Sequence, residues 1–497
     1  MRRILLKAGV LNLLDHGLKI LAVFFMTPFI LGHLGNEQYG LWAVIYSILS
    51  YLEFLDLGAS NAGTRFYARE SQAETSRRAD LLRVIHRFYR GVAAMALLFT
   101  IGLLFTIQYL LPAQYATSHG IRGIVVLLGI VITVRFLTRP LLIVLRANLR
   151  QDIVAWSEMA RLLVQTITTV LLLNQGWGIN GLAWSFLLGA GLQQAFILFA
   201  GTKLLPKAQV NSENGPVVPM VELITTSLIA FTGLLGNQLR TITNPLILSK
   251  MVSLEAVTLY AVGARFIMIF DSIVNSLFGG QLLVAFSRIL ATNRHADRQF
   301  LESTKYSVWF VTFCAGGLAL LGPPFIERWL GEGFEVSQSL LLLLLIPASI
   351  RLCQYPAGDY LFSMKRYALS YITLALALLN VLACVILSRK IGIMGVIYPT
   401  CIEAAIRYGI IVPFLICHNS GISIVSYVWS TVVQNIALAS IPFLILAPFI
   451  KYSISPSYLI IITWGAGCFI VFTAYASVVL LTSEQRVRVI HSIIKRK

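Results

Sequence analysis

Charged residues are scarce in this chain, and their scarcity excludes a soluble protein. Only 12% of the 497 residues are Asp, Glu, Lys or Arg, whereas soluble domains average about 25%. The mean hydropathy is correspondingly high, at +0.80. Apolar runs of about 20 residues recur along the whole sequence, and each is long enough to cross a bilayer as a helix. Because these runs are continuous rather than alternating, they indicate membrane helices and not a β-barrel.

The usual sequence signatures of metal, redox and catalytic sites are also missing. The six cysteines are scattered through apolar segments, with no CxxC motif and no Cys/His cluster, so neither a disulfide framework nor a metal site is expected. No GxxxxGK[ST] sequence is present, which argues against ATP hydrolysis. The longest connectors have about 30 residues, whereas a membrane glycosyltransferase would normally need a larger soluble loop. We therefore expect a protein that is not an enzyme and needs no cofactor.

A sequence pattern recurs at a separation of about 217 residues, which predicts two repeated halves. The first copy surrounds Pro28 and Glu37, and the second surrounds Pro245 and Glu255. Further landmarks recur at similar offsets, namely Pro140 with Pro356 and the Gly-Ile-x-Gly segments 178–181 and 392–395. Self-similarity over this distance in an apolar chain is typical of transporters built from repeats. An even number of helices in each repeat returns the chain to its starting side, so the halves are predicted to be parallel.

The hydrophobic runs predict about fourteen transmembrane helices. Their predicted bounds are 8–32, 37–60, 89–111, 121–146, 152–175, 180–203, 221–249, 254–281, 304–328, 337–363, 367–388, 393–417, 425–449 and 457–482. The predicted fold class is an all-α integral membrane protein in which two parallel six-helix repeats surround a central cavity. The predicted parts are an N-terminal six-helix lobe at 1–210, a C-terminal six-helix lobe at 211–420, and two additional transmembrane helices with a basic cytoplasmic tail at 421–497.

The net charge of +18 is distributed unevenly between the two sides of the predicted helices. The connectors on the N-terminal side contain 25 Lys and Arg residues, and the opposite connectors contain six. Because positive residues accumulate in cytoplasmic loops, both termini are predicted to be cytoplasmic. The same rule accounts for the basic balance, so no nucleic-acid partner is expected.

The remaining eight Lys and Arg residues fall inside the predicted membrane spans. They are Lys19, Arg135, Arg139, Arg161, Arg240, Arg265, Arg351 and Arg407. A cation at the bilayer centre costs about 2.5–3.5 kcal/mol even on lenient insertion scales. Eight such residues facing lipid would be untenable, so we predict that they face a water-filled cavity or a counter-ion. We interpret them as the candidate substrate-binding residues.

Five acidic residues also fall inside the spans, which leaves an excess of three positive charges. They are Asp15, Glu53, Glu158, Asp271 and Glu403. All of these except Glu53 are candidates for coupling transport to an ion or proton gradient. Asp15 lies one helical turn before Lys19, so the two side chains could form an ion pair. A substrate phosphate that bound Lys19 would then release the carboxylate of Asp15. A permanent Asp15–Lys19 ion pair is an equally good interpretation, and the acids at 158 and 403 are similarly consistent with ion pairs that only stabilise packing.

Several short motifs in the first seventy residues resemble one transporter family. They are Pro28–Leu31, Leu34-Gly35, Glu37–Trp42, Leu55–Gly58 and Thr64-Arg65, and the later segment 178–181 also fits. These motifs are similar to those of the polysaccharide transporter, or O-antigen flippase, family. That family belongs to the multidrug/oligosaccharidyl-lipid/polysaccharide exporter superfamily, which also holds multidrug exporters and lipid II flippases.

The resemblance implies a flippase of the bacterial cytoplasmic (inner) membrane. Its substrate would be an undecaprenyl-pyrophosphate-linked oligosaccharide, such as the O-antigen unit of lipopolysaccharide biosynthesis, moved to the outer leaflet by alternating access. A polysaccharide polymerase and other assembly proteins are the implied partners. The positive excess agrees with this substrate, because Arg offers paired donors that match phosphate oxygens. The alternatives are a multidrug exporter or lipid II flippase of the same fold, and a scaffold subunit of a polysaccharide synthesis complex.

Overall fold

The chain is an all-α, multi-pass membrane protein, as predicted. A computed structural model describes residues 2–69, 75–112, 115, 119–205, 232, 235–236, 238–239, 242–278, 281–291, 296–364, 366, 368–453 and 457–480. Within these ranges all regular secondary structure is helical, and eleven helices are long and apolar enough to cross a membrane.

Two compact units can be distinguished in the chain. The N-terminal unit comprises Met1–Thr258 with Val385–Gly392, and the C-terminal unit comprises Leu259–Cys384 with Ile393–Lys497. The three predicted parts, with bounds at 210 and 420, stay a prediction.

The N-terminal unit is a bundle of long helices. They are α1 (Arg2–Ser50), α2 (Ala59–Arg69), α3 (Thr75–Leu110), α4 (His119–Ala147), α5 (Gln151–Asn174), α6 (Gly178–Thr202) and α7 (242–251). A short 3-10 helix, Tyr51–Asp56, joins α1 to α2. Helices α4, α5 and α6 pack against one another, α3 packs on α4, and α1 packs on α5.

A glycine kink divides α1 into the first two predicted spans. Gly35 has φ 72° and ψ 172°, a conformation that glycine adopts without the steric cost of a side chain. Helix α5 was predicted to be a span but is not among the eleven most apolar helices, because it carries Glu158 and Arg161. The predicted span 221–249 lies largely outside the described residues. The total of fourteen helices therefore stays a prediction.

The matching turns of the two repeats touch each other inside the N-terminal unit. At the repeat offset of 218, Asn36 corresponds to Leu254 and Gly40 corresponds to Thr258. Thr258 Oγ1 donates to the carbonyl of Asn36 at 2.5 Å. A Cβ added at Gly40 would lie 2.0 Å from the carbonyl oxygen of Leu254. The contact is therefore reciprocal, as expected for two repeats related by a pseudo-two-fold axis.

The C-terminal unit contains most of the remaining helices. Helix α8 (Leu254–Phe278) begins in the N-terminal unit, and it is followed by α9 (Gln281–Ala291), α10 (Asp297–Leu330), α11 (Glu335–Cys353), α12 (Tyr355–Ser363), α13 (Ala368–Ile391), α14 (Met394–Ala404), α15 (Val412–Ser420), α16 (Gln434–Ser453) and α17 (Tyr458–Tyr475). One core of this unit is an aromatic cluster in which the rings of Phe300 and Tyr360 stack with centroids 4.5 Å apart.

Predicted helices of this unit depart from regular α-helix, as two of them illustrate. The predicted helix 337–363 is broken at Gln354, and Pro356 lies in the first turn of α12, where its missing N–H costs nothing. The predicted helix 393–417 contains a π-helix at Ala405–Ile411, which precedes Pro413. Proline removes one helical hydrogen bond and clashes with the preceding turn, so a wider turn at this place is expected.

Candidate functional site

One carboxylate bridges two arginines at the junction between α1 and α2. Arg135 and Arg139 lie one turn apart on α4, so their side chains leave the same face. Arg135 Nη1 is 2.7 Å from Glu53 Oε1, and Arg139 Nη2 is 2.9 Å from Glu53 Oε2. The three side chains are between 18% and 33% exposed. Glu53, on the 3-10 helix, therefore neutralises part of a paired cationic site that remains accessible.

A small cavity lies beside this bridge, among α4, α5 and α6. Its lining comprises Arg135, Thr138, Arg139, Leu142, Arg146, Val154, Glu158, Gln193, Gln194 and Ile197. The volume is about 50 Å³, enough for a few waters at about 10–15 Å³ each but not for a diphosphate. Within the described part of the chain, Nε of Arg139 is buried and has no hydrogen-bond partner. An unsatisfied buried donor is costly, so this group favours an anionic ligand.

A second acidic residue, Glu158, forms ion pairs with two more cations of the N-terminal unit. Glu158 Oε2 lies 3.1 Å from Arg161 Nη2 and 3.7 Å from Lys19 Nζ. Gln193 Nε2 donates to the other carboxylate oxygen at 2.7 Å, and Arg161 also donates to Gln165 at 2.8 Å. The predicted pair on α5 therefore exists, but it belongs to a network that includes residues of α1 and α6.

The N-terminal unit thus concentrates positive charge around one polar region. Five cations meet three carboxylates there, namely Lys19, Arg135, Arg139, Arg146 and Arg161 with Glu53, Glu158 and Asp56, whose charge acts on Arg146. The net balance is two positive charges. Guanidinium groups form paired, charge-assisted hydrogen bonds with phosphate oxygens, so the region is suited to a multiply charged phosphate group. The amides of Gln193 and Gln194 and the Thr138 hydroxyl add neutral hydrogen-bonding groups.

Sequence reasoning missed four of the polar residues that line the cavity. Arg146 was assigned to a cytoplasmic connector, although it follows Arg139 by seven residues and therefore lies on the same face of α4. Continuing the Arg135–Arg139 spacing to the end of the helix would have found it. Gln193 and Gln194 lie side by side on the otherwise apolar α6, and Thr138 donates to Gln194 at 2.5 Å. These neutral residues carried no charge signal.

A separate ion pair joins two helices of the C-terminal unit. Arg351 Nη2 on α11 lies 2.5 Å from Asp271 Oδ1 on α8, and these side chains are 23% and 35% exposed. One turn after Asp271, the amide oxygen of Asn275 accepts a hydrogen bond from the Tyr355 hydroxyl at 2.5 Å. Helix α8 also contains the half-buried Arg265.

Arg407 is more deeply buried than the predicted site residues in the ion pairs described above. Its side chain is 2% exposed and its Nε lies 3.0 Å from Glu403 Oε1, which belongs to a side chain 6% exposed. Its guanidinium also lies over the ring of Tyr408, 4.4 Å from the centroid. The geometry therefore matches the packing alternative, an intrahelical ion pair.

The side chains of two predicted site residues are not among those that the structure describes. Arg240 lies outside the described residues, as does the side chain of Asp15. Across the described ranges there is no group of three or more His, Cys, Asp or Glu residues that could hold a metal ion.

Comparison with known sequences identifies the family. A family model described as "Polysaccharide biosynthesis protein" matches residues 34–339, which is more than half of the chain. The chain belongs to the polysaccharide biosynthesis protein family. The match confirms the expected resemblance to polysaccharide transporters, and it includes Glu53 and the cavity arginines Arg135, Arg139 and Arg146. A comparison with curated proteins finds no match.

Solved structures show which fold this polysaccharide biosynthesis protein shares. The lipid II flippase MurJ, in an inward closed conformation, matches with a TM-score of 0.69 and 17% identity over 94% of this chain and 98% of that chain. An inward-facing multidrug resistance transporter of the MATE family matches with a TM-score of 0.58 and 12% identity, over 78% and 93% of the two chains.

A third solved structure of similar fold is described by the polarity of its binding pocket. This transporter of the MOP superfamily, from Pyrococcus furiosus, is described as having a binding pocket of reverse polarity that suggests a different function. It matches with a TM-score of 0.52 and 13% identity over 81% of this chain and 91% of that chain. At these identities the comparisons establish the fold alone.

Proposed function

We propose that this polysaccharide biosynthesis protein is a flippase for an undecaprenyl-pyrophosphate-linked oligosaccharide. It would move an O-antigen or other surface-polysaccharide unit from the cytoplasmic to the outer leaflet. The observation that carries the proposal is the cationic region of the N-terminal unit, where Arg135, Arg139 and Arg146 line a polar cavity. Cations inside a membrane are costly and are retained for function, and a pyrophosphate is an anion that they match.

The chemistry of the lining fits both parts of such a head group. Arginine forks bind phosphate oxygens in a bidentate manner, and the amides of Gln193 and Gln194 suit sugar hydroxyls. The lipid tail needs no polar partner and stays in the hydrocarbon. In the C-terminal unit, Arg351 and Arg265 would supply the cations that the second repeat contributes during alternating access.

The polarity of the cavity favours this substrate over the alternatives. Exporters of cationic drugs need an acidic cavity, whereas this region carries two excess positive charges. A scaffold subunit would gain nothing from so many costly intramembrane cations. A lipid II flippase remains the second candidate, because its substrate also carries a polyprenyl pyrophosphate, and the similarity of fold to the lipid II flippase MurJ favours it.

The proposal extends to location and coupling. The protein would act in the bacterial inner membrane with both termini in the cytoplasm, beside a polysaccharide polymerase and other assembly proteins, and it would be a transporter rather than an enzyme. Asp15 is the proposed coupling group, through its pairing with Lys19, and Asp271 is a second candidate. Glu158 would take part because Lys19 would leave its ion pair with Glu158 in order to bind the substrate.

The test is glycan export in cells that depend on this protein. Arg135→Ala and Arg139→Ala should each reduce surface glycan at least tenfold with normal membrane insertion, and the Lys variants should restore export only in part because they lose the fork geometry. Arg298→Ala is the matched control, since Arg298 is 77% exposed and forms an exposed ion pair with Glu302. Normal export by both Ala variants would contradict the proposal.

A further inference from the structure

We propose that Glu53 is the resident counter-anion of the cationic cavity, and that the substrate's phosphate displaces it from Arg135 and Arg139. This inference rests on the proposed function and names a residue that positions the arginines for substrate. Glu53 presents one carboxylate oxygen to each guanidinium, at 2.7 Å and 2.9 Å. Two phosphate oxygens would bind the same pair of groups in the same way.

The small size of the cavity favours this exchange. Its volume of about 50 Å³ holds a few waters, and the arginines that line it are already occupied by Glu53. A phosphate group that binds the same two Nη atoms must take the place of the carboxylate. Glu53 is 33% exposed, so its side chain is not fully enclosed by its neighbours.

The backbone around Glu53 differs from that around Glu158. Glu53 lies in a 3-10 helix that ends at two left-handed residues, Leu57 at φ 50° and Gly58 at φ 75°. Glu158, by contrast, lies inside the regular helix α5 and also accepts a hydrogen bond from Gln193. The 3-10 segment has poorer hydrogen-bond geometry than an α-helix, so the backbone holds Glu53 less firmly than it holds Glu158.

A neighbouring contact gives this movement a route to the second repeat. Tyr51 lies two residues before Glu53, and its hydroxyl is hydrogen-bonded to Thr243 Oγ1 on α7 at 2.5 Å. Ser47, one turn earlier on α1, donates to the carbonyl of Ile242. Helix α7 belongs to the first span of the second repeat. Displacement of Glu53 would therefore change the position of Tyr51 and its contact with α7 of the second repeat.

Binding of undecaprenyl pyrophosphate without a glycan, measured on the purified full chain in detergent, tests the exchange. Glu53→Gln removes the competing charge, so this variant should bind the lipid about tenfold more tightly, which corresponds to about 1.4 kcal/mol. Its export rate should fall, because the empty carrier loses the anion that neutralises its arginines. Inorganic pyrophosphate should compete more strongly in the variant. Glu302→Gln, which removes the exposed partner of Arg298, should change neither binding nor export.

Two further variants keep the outcome decisive. Glu53→Asp retains the charge on a shorter side chain and should bind with intermediate affinity, which provides the test if the Gln variant does not accumulate. Tyr51→Phe should bind as the wild type does but export more slowly, and wild-type export would overturn the route through Thr243. Equal or weaker binding by Glu53→Gln, together with weak binding by Arg135→Ala, would overturn the counter-anion role alone. Normal binding by Arg135→Ala and Arg139→Ala would overturn the proposed function instead.

Discussion

The buried pair Glu403–Arg407 allows a quantitative test of whether a predicted site residue has a packing role. The two side chains are 6% and 2% exposed, with Arg407 Nε 3.0 Å from Glu403 Oε1. Removing one member of a buried pair leaves an uncompensated charge and costs about 3–5 kcal/mol, whereas replacing both is often nearly neutral. We therefore expect Glu403→Gln to destabilise the protein by about 3–5 kcal/mol and the double variant Glu403→Gln/Arg407→Met by less than about 1 kcal/mol.

The two single variants should also differ from each other. A buried glutamate left alone can take up a proton and become neutral, whereas an arginine stays charged. Arg407→Met should therefore destabilise the protein less than Glu403→Gln does. The assay is a double-mutant cycle on the free energy of unfolding in mixed micelles, with the exposed pair Arg298–Glu302 as the control, where each change should cost less than about 1 kcal/mol.

One outcome of this double-mutant cycle would contradict the packing role of the pair. If the double variant lost as much stability as the sum of the two single variants, the pair would not be coupled, and its assignment to packing would be wrong. If the Arg407 variant kept its stability but lost substrate binding, Arg407 would return to the substrate-binding set.

Two other predictions concern the repeat contact and the topology. Gly40→Ala should lower the melting temperature and the yield, because its Cβ would lie 2.0 Å from the Leu254 carbonyl oxygen and overpacking costs about 1–3 kcal/mol. The control is Gly32→Ala on the same helix, where an added Cβ would have nothing within 4 Å. Equal melting temperatures for the two variants would refute the close contact. Reporter fusions should read cytoplasmic at Arg78 and external at Gly331, and an external reading at Arg78 would overturn the predicted orientation.

The sequence predicted the helices and the charges better than it predicted their partners. The spacing of Arg135 and Arg139 placed both on one face of α4, and Glu53 was recognised as an acid within a span. That these three residues meet depends on the packing of the α1–α2 junction against α4, across more than eighty residues of sequence. A single sequence contains no signal for such a pairing between helices, because several polar faces offered equally good partners.

Local breaks in the helices show a similar limit. The predicted gap between the first two spans, 8–32 and 37–60, contains the kink at Gly35, a conformation that glycine adopts readily. Pro140 and Pro356 were interpreted as counterparts in the two repeats, yet Pro140 lies within the continuous α4 and Pro356 begins a new helix after Gln354. Whether a proline is tolerated or starts a helix depends on the neighbours that satisfy the freed carbonyl group.

The most direct test of the central claim is translocation by the purified protein in lipid vesicles. Vesicles containing the full chain and an undecaprenyl-pyrophosphate-linked oligosaccharide would be assayed for the fraction of glycan that becomes accessible on the opposite leaflet, with an Arg135→Ala/Arg139→Ala variant as the matched control. We predict that the wild type equilibrates the glycan across the bilayer and that the variant performs like protein-free vesicles. Equal translocation by the two proteins, or none by the wild type with the substrate present, would contradict the proposal that this cationic cavity carries a lipid-linked glycan.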